Sequence, residues 1–319
     1  MAVLVGIDEA GFGPILGPLV VSSTVFSVHR RHLESDLWQL LKKSVGISQK
    51  RLAGRLLVTD SKKTYTRKKG IKQLQRTVLS ALSCLNEKPA TLTELISVLC
   101  SDCSKRLSSY PWYQAMEDCE LSADKADIEI ASEVFANDLN SNDIKLLGIK
   151  SRCLDVAHYN QMVSVVKNKA TVLFTAAANL IKSAWDNFET DDLQVIIDRQ
   201  GGRVHYRKIL QRSFENMELK ILKETPASSS YLLHAGGRQM RLHFVVGADS
   251  RFFPVSLASM VSKYLRELLV YNINRYFAAH CACLKPTAGY WKDGLRFIED
   301  LKKNLPHIKY DNNQLIRTR

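Results

Sequence analysis

Four acidic side chains lie at the ends of apolar runs that are far apart in the sequence. Asp8 and Glu9 follow one such run, and Asp198 and Asp249 end two others. Carboxylates gathered in this way repel one another, and their pKa values rise unless a hard divalent cation such as Mg²⁺ neutralises them. Two such ions can activate a water on one side of a phosphodiester and stabilise the leaving oxygen on the other. The pattern is therefore compatible with metal-dependent phosphodiester chemistry.

Each of these acids also has a plainer interpretation. An Asp-Glu pair at the tip of a hairpin is commonly solvated. A structural Asp198 that caps the turn before Gly201-Gly202 explains that residue about as well as a metal ligand does.

The elements that must position the acids can be read from hydrophobic periodicity. The stretch around Gly11, Gly13 and Gly17 predicts strand, tight turn and strand, and its glycines let backbone N–H groups approach a phosphate or sugar. Because side chains alternate along a strand, Ile7 points into a core and Asp8 points the other way. A helix before Leu193 predicts a parallel crossover, which places Asp198 at a carboxyl end of the sheet.

The remaining elements are expected from local patterns. Strands are predicted at Arg55 to Val58 and Ile144 to Cys153, with two or three more between Met217 and Leu233. Helices are predicted at His29 to Val45, after Lys63, through much of 86–143, at Val156 to Phe188, Arg203 to Arg212 and Phe253 to Phe277, and finally to about Leu301. The tail after Pro306 is expected to be loosely held.

Charge separates the chain into an acidic segment and a basic remainder. Lys plus Arg number 45 and Asp plus Glu 32, giving a net charge of +13. Residues 86–145 hold five basic and twelve acidic side chains, so this segment carries −7 and the remainder +20. A basic surface of this kind favours nucleic acid as a partner. The basic stretch Arg67, Lys68, Lys69, Lys72 and Arg76 is either a set of phosphate contacts or a solvated helix face.

The cysteines and the apolar runs indicate the cellular environment in which the protein is expected. Seven cysteines follow no disulfide framework, and the pair Cys100 and Cys103 lacks a second pair at zinc-ribbon spacing. No apolar run reaches the roughly twenty residues of a membrane span. We expect a reduced, cytoplasmic protein without a membrane partner.

The opening motif carries a specific resemblance. Gly6-Ile7-Asp8-Glu9-Ala10-Gly11-Phe12-Gly13-Pro14 resembles the first motif of ribonuclease HII, a type 2 ribonuclease H, with Phe12 where that family usually has Arg. Asp60-Ser61-Lys62 resembles the family's Asp-Ser-Lys motif. Ala258 to Glu267 resembles the helix that follows the family's last catalytic Asp, and Gly289-Tyr290 resembles its Gly-Tyr, without the Thr that follows there.

The resemblance implies a fold and a division of the chain. The fold would be a ribonuclease H-like mixed α/β sheet flanked by helices, with a helical insertion and C-terminal helices. The segments would be 1–85 and 146–285 for the ribonuclease H-like domain, 86–145 for the acidic insertion and 286–319 for a C-terminal helical segment. A protein partner is one use for the insertion.

The resemblance also implies site residues and an activity. Asp8, Glu9, Asp198 and Asp249 would be catalytic and would hold two Mg²⁺ or Mn²⁺ ions. Substrate would be bound by Gly11, Phe12, Gly13, Lys62, Lys263, Arg266 and Tyr290, with the tyrosine on the 2′-hydroxyl-bearing sugar. The reaction would be endonucleolytic hydrolysis of RNA in RNA–DNA hybrids, or at ribonucleotides embedded in DNA, leaving 5′-phosphate and 3′-hydroxyl ends. Two alternatives stay open: a nuclease of the same fold acting on structured DNA, and a hybrid-binding protein with weak or no catalysis.

Overall fold

The computed structural model describes residues 1–65, 70–121, 123–190 and 192–318. Most of the strands in this part of the chain are seven to eleven residues long. They are β1 (Ala2–Ala10), β2 (Leu19–Val28), β3 (Val45–Gly46), β4 (Leu56–Leu57), β5 (Ile144–Leu154), β6 (Leu193–Asp198), β7 (Glu218–Glu224), β8 (Ser228–Ala235) and β9 (Arg238–Val245).

The helices range from single turns to a 28-residue element. They are α1 (Leu37–Leu40), α2 (Ser61–Thr64), α3 (Lys72–Ser83), α4 (Leu92–Cys100), α5 (Ser104–Leu107), α6 (Lys125–Ser141), α7 (Val156–Val166), α8 (Lys169–Asn187), α9 (Arg207–Ser213), α10 (Phe253–His280), α11 (Trp291–Asn304) and α12 (Asn312–Leu315). Among the described residues, no helix is both long and apolar enough to cross a membrane.

Seven strands form one mixed sheet in the order β5-β2-β1-β6-β9-β8-β7. β1 is antiparallel to β2 and parallel to β6, and β6 is parallel to β9. The predicted α/β class with a mixed sheet flanked by helices is confirmed, as is the parallel crossover that leads into β6. The short strands β3 and β4 pair separately.

Two hydrophobic clusters cover the two faces of this sheet. On one face, Val5 and Ile7 of β1 pack with α7, α8 and α9. On the other, Leu4 packs with α10, α3 and the helices of residues 92–141. Trp112 lies 5.8 Å from Phe277 of α10, ring centre to ring centre, so this aromatic side chain anchors the acidic segment on α10. The domain boundaries themselves remain a prediction.

Two of the predicted helices are wrong in extent. The helix expected from His29 to Val45 is reduced to a 3₁₀ turn and α1, because the Asp36 side chain accepts from the Trp38 N–H and starts a new helix there. The long helix from Val156 to Phe188 is divided at Lys167, which has a φ of +52°. Asn168 then caps α8 by accepting from two backbone N–H groups.

The tail after Pro306 is ordered, contrary to expectation. Leu315 is fully buried, Ile316 pairs with Leu16, and the Arg317 guanidinium donates to the carbonyls of Gly11 and Pro14. The end of the chain therefore supports the loop that follows β1.

Candidate active site

Strand register brings the acids to one edge of the sheet. Ile7 of β1 lies opposite Ile197 of β6 in the parallel pair, so Asp8 and Asp198 occupy the next level of neighbouring strands. Asp249 lies in the turn after β9, the strand on the other side of β6. The Ala248 N–H in this turn donates to the Asp198 carboxylate at 2.7 Å. Asp8, Glu9, Asp198 and Asp249 are therefore near enough for their charges to interact.

Helix α10 holds the acidic end of β1 from behind. A Cβ on Gly6 would lie 2.2 Å from the carbonyl carbon of Pro254, so only glycine lets the helix pack this closely on the strand. The Ser262 hydroxyl donates to the Asp8 carbonyl at 3.0 Å. The Ser259 hydroxyl lies beside the Asp8 carboxyl group, whose charged form it favours, and forms a hydrogen bond with the Ser61 hydroxyl at 3.0 Å.

The electrostatics of the acids are those of a crowded site. Burial, followed by the charges of Glu9 and Asp198, raises the pKa of Asp8 well above its usual value. Burial and Asp198 raise the pKa of Glu9 to about 7. Burial likewise raises the pKa of Asp198, and burial followed by Asp60 and Asp198 raises the pKa of Asp249 to about 6. A bound cation would therefore stabilise the ionised form of these carboxylates.

The Asp60-Ser61-Lys62 motif is folded against the acids. Burial alone would lower the pKa of Lys62, but the carboxylates of Asp60, Asp249 and Asp8 together raise it. Asp60 caps α2 through the Lys62 N–H and also hydrogen-bonds Asp249. Sequence reasoning quoted Asp60 within the motif but missed it as a fifth acid; the cap position before a short helix was the available signal.

The glycine loop and the Gly289-Tyr290 pair lie side by side. Gly11 has a φ of +97°, and a Cβ there would lie 2.6 Å from the Arg266 Nε. The Ile15 N–H donates to the Gly289 carbonyl at 2.8 Å, which joins motifs that are far apart in the sequence. Tyr290 is 51% exposed at the start of α11, with the Arg266 guanidinium 5.8 Å from its ring centre.

The other predicted substrate residues differ in their exposure. Gly13 is exposed, and Phe12 is half-buried beneath the Lys169 ammonium, 5.2 Å from its ring centre. Lys263 makes an ion pair with Glu267 at 2.7 Å. Arg266 is fully buried and donates to Glu267 and to the Ala288 carbonyl, so it supports the loop from behind.

The basic stretch near the Asp-Ser-Lys motif is only partly described. Arg67, Lys68 and Lys69 lie outside the described residues. Lys72 is exposed at the start of α3, whereas Arg76 is engaged in an ion pair with Asp127 at 2.6 Å.

The carboxylates are the right type of ligand for a divalent ion, but their positions do not form a complete metal site. All the candidate ligands supply oxygen, which Mg²⁺ and Mn²⁺ prefer, and their raised pKa values mark an uncompensated cluster. Within the described parts of the chain, no group of three or more His, Cys, Asp or Glu side chains is arranged as a metal site. These oxygen ligands fit a hard cation, and the carboxylates would have to move closer together around the ion when it binds.

Comparison with known proteins gives distant structural likenesses. No protein-family model and no curated protein matches the sequence. The structure is similar to ribonuclease HII of Archaeoglobus fulgidus, solved in a complex with PCNA, with a TM-score of 0.47, 13% identity and coverage of 99% of this chain and 94% of that one. It is also similar to Bst-RNase HIII in complex with Mn²⁺ (TM-score 0.47, 13% identity, 99% and 66% covered) and to ribonuclease H2 of Pyrococcus horikoshii OT3 (TM-score 0.46, 11% identity, 98% and 92% covered). All three of these proteins are ribonucleases H.

Proposed function

We propose that this chain is a metal-dependent endoribonuclease of the ribonuclease H type. It hydrolyses the RNA strand of RNA–DNA hybrids, or cuts at ribonucleotides embedded in duplex DNA, leaving 5′-phosphate and 3′-hydroxyl ends. The observation that carries the proposal is the meeting of the acids with the glycine loop and Tyr290. Asp8 lies two residues before the end of β1, the loop begins three residues after Asp8 at Gly11, and Gly289 is hydrogen-bonded to Ile15.

Asp8, Glu9, Asp198 and Asp249 are the proposed ligands of two Mg²⁺ or Mn²⁺ ions. When bound, such a pair activates the attacking water and neutralises the leaving 3′-oxygen. The protein's own contribution is to fix the carboxylates: Ser259 holds the Asp8 side chain and the Ala248 N–H holds Asp198. Asp60 adds negative charge beside Asp249.

The remaining groups select and place the substrate. Lys62 presents a cation beside the acids, where it would neutralise the scissile phosphate. Backbone groups of Gly11, Phe12 and Gly13 and the ring of Tyr290 would meet the sugar that bears the 2′-hydroxyl. The acidic helices of 86–145 lie outside this machinery, and a protein partner remains the proposal for them.

The test is cleavage of labelled duplexes by the full chain with Mg²⁺ or Mn²⁺. The substrates are a duplex with one ribonucleotide in DNA, an RNA–DNA hybrid and an all-DNA duplex. We expect cutting at ribonucleotides only, loss of cutting in EDTA and in Asp8→Asn, and products whose 3′ ends a polymerase extends. Asp118→Asn, which changes an exposed acid in the helical segment, is the matched control and should cut normally.

Two outcomes would overturn the proposal. Tight hybrid binding without cutting in either metal would identify a binding protein. Equal cutting of structured all-DNA substrates would show that the 2′-hydroxyl is not read.

A further inference from the structure

A large basic groove opens beside the acids. It has a volume of about 550 Å³, and Asp249, Ser250 and Arg251 form one part of its wall. The rest of the wall comes from residues 36–63, a stretch that holds α1, β3 and β4. No residue of the glycine loop lines this groove. It is therefore a surface that adjoins the catalytic acids but is separate from the loop and Tyr290.

The charge of the groove is strongly positive. Its lining has five cations and two carboxylates, one of which is Asp249. The cations are Lys42, Arg51, Arg55, Lys63 and Arg251. The other carboxylate, Asp36, is occupied as the cap of α1, accepting from the Trp38 N–H at 2.9 Å. An ion-rich wall of one sign raises the local concentration of a polyanion.

Three of these cations are available to a ligand. Lys42, Arg51 and Arg251 are exposed, and within the described part of the chain none of them makes an ion pair with a carboxylate. Uncompensated cations that surround a concave surface are the pattern expected where phosphates bind.

The wall that carries these cations is held in place. Arg55 is half-buried and donates to the carbonyls of Leu52 and Lys42 at 2.8 and 3.0 Å, which closes the loop on itself. Arg76 donates to the Arg55 carbonyl at 2.9 Å, and the Trp38 indole donates to the Val58 carbonyl at 2.8 Å. The groove is thus a built surface, ordered before a ligand arrives.

We infer that this groove binds the phosphate backbone of the duplex on one side of the cut ribonucleotide, through Lys42, Arg51 and Arg251. The inference rests on the proposed function for the identity of the duplex. A nucleic-acid strand is favoured over a small anion because three exposed cations line a cavity of about 550 Å³ that also includes Asp249, beside which the scissile phosphate would lie. The groove would determine how many base pairs the protein contacts on that side of the ribonucleotide and how strongly binding depends on salt.

The experiment measures binding separately from cutting. Wild-type protein and the triple variant Lys42→Gln, Arg51→Gln, Arg251→Gln are titrated in EDTA against fluorescent duplexes containing one ribonucleotide, at several salt concentrations. Each lost phosphate contact lowers the slope of log K against log salt by about 0.9. We expect a slope smaller by two to three in the triple variant. Because these side chains are exposed, the variant should retain the wild-type melting temperature.

Duplex length locates the effect. The duplex is shortened on the 5′ or the 3′ side of the ribonucleotide, leaving about three base pairs on that side. The triple substitution should weaken binding of duplexes that keep one particular arm, and should have no effect on duplexes that lack it. The control variant Lys182→Gln, Lys220→Gln, Lys303→Gln removes three exposed lysines elsewhere and should bind like wild type.

The outcomes separate this inference from the proposed function. An unchanged slope in the triple variant, or the same loss with either arm removed, overturns the groove even if wild-type protein cuts at ribonucleotides. A reduced slope confined to one arm supports the groove, and does so even if wild-type protein fails to cut.

Discussion

Replacing Glu9 by glutamine should stabilise the metal-free protein while destroying its proposed site. The pKa of Glu9 is raised from its usual 4.5 to about 7 by burial and by Asp198. Ionising Glu9 in the folded state therefore costs about 3 kcal/mol more than in the unfolded chain, at about 1.4 kcal/mol per tenfold change. Water at this half-buried side chain screens part of that cost, so we expect Glu9→Gln to gain about 1–3 kcal/mol at pH 8.5.

The sign of the pH dependence follows from the same shift. The folded protein keeps the protons of Glu9 and Asp249 up to pH 6–7, whereas the unfolded chain releases them near pH 4. The unfolded state therefore binds fewer protons between these limits, and the free energy of unfolding falls as the pH rises from about 4 to about 7. The stabilising effect of Glu9→Gln should accordingly be small at pH 5 and complete at pH 8.5.

The assay is thermal melting in EDTA at pH 5 and pH 8.5, repeated with Mg²⁺. A gain of 1–3 kcal/mol corresponds to about 1.5–4.5 °C in a chain of this size. With Mg²⁺ at a hundred times its dissociation constant, wild-type protein gains about 2.7 kcal/mol, so the advantage of Glu9→Gln should shrink by about that amount. Glu133→Gln, on the exposed face of α6, is the control for removing one negative charge. Equal melting of Glu9→Gln and wild type at pH 8.5 in EDTA, or a gain of the same size at pH 5, would refute the view that Glu9 lies in a repelling cluster.

Two further substitutions test the supports of the site. Ser259→Ala removes the hydroxyl beside the Asp8 carboxyl group and should raise the Mg²⁺ concentration for half-maximal cleavage about tenfold. Ser256→Ala is the control, because the Ser256 hydroxyl is buried in the same helix and has no partner among the described residues. This control should leave the Mg²⁺ concentration for half-maximal cleavage unchanged. Arg317→Leu leaves the Gly11 and Pro14 carbonyls without this donor and should raise KM for a ribonucleotide-containing duplex more than it lowers kcat; an unchanged KM would show that the C-terminal tail does not shape the loop.

Sequence patterns placed Asp8, Asp198 and Asp249 at or near the ends of strands, which is where the structure has them. Alternation in β1 puts Ile7 in the core and Asp8 on the opposite face, and the handedness of crossovers makes β6 its parallel neighbour. The same reasoning failed where a side chain competes with local periodicity. Asp36 and Asn168 each start a new helix inside a stretch whose apolar spacing predicts a single continuous one.

Contacts between distant parts of the chain could not be predicted from either segment alone. Arg317 reaches Gly11 across 306 residues, from a tail whose polar composition is typical of a loose end. Asp60 meets Asp249 because α2, which Asp60 caps, and the turn after β9 both pack against α10. Such contacts follow only from the completed fold.

The sequence around Ser259 resembles a catalytic motif, although few of its residues face the acids. The position of these residues on α10 accounts for this. Ser259, Ser262 and Arg266 recur at spacings of three and four and therefore share one face of the helix. Along that face they contact the Asp8 carboxyl group, the Asp8 carbonyl and the back of the Gly11 loop in turn. The spacing of these three residues along α10 therefore fixes the distance between Asp8 and the Gly11 loop. A one-residue insertion between Ser259 and Arg266 would rotate the two ends of this face apart by about 100°, and would move the residue behind the Gly11 loop away from the face that contacts Asp8.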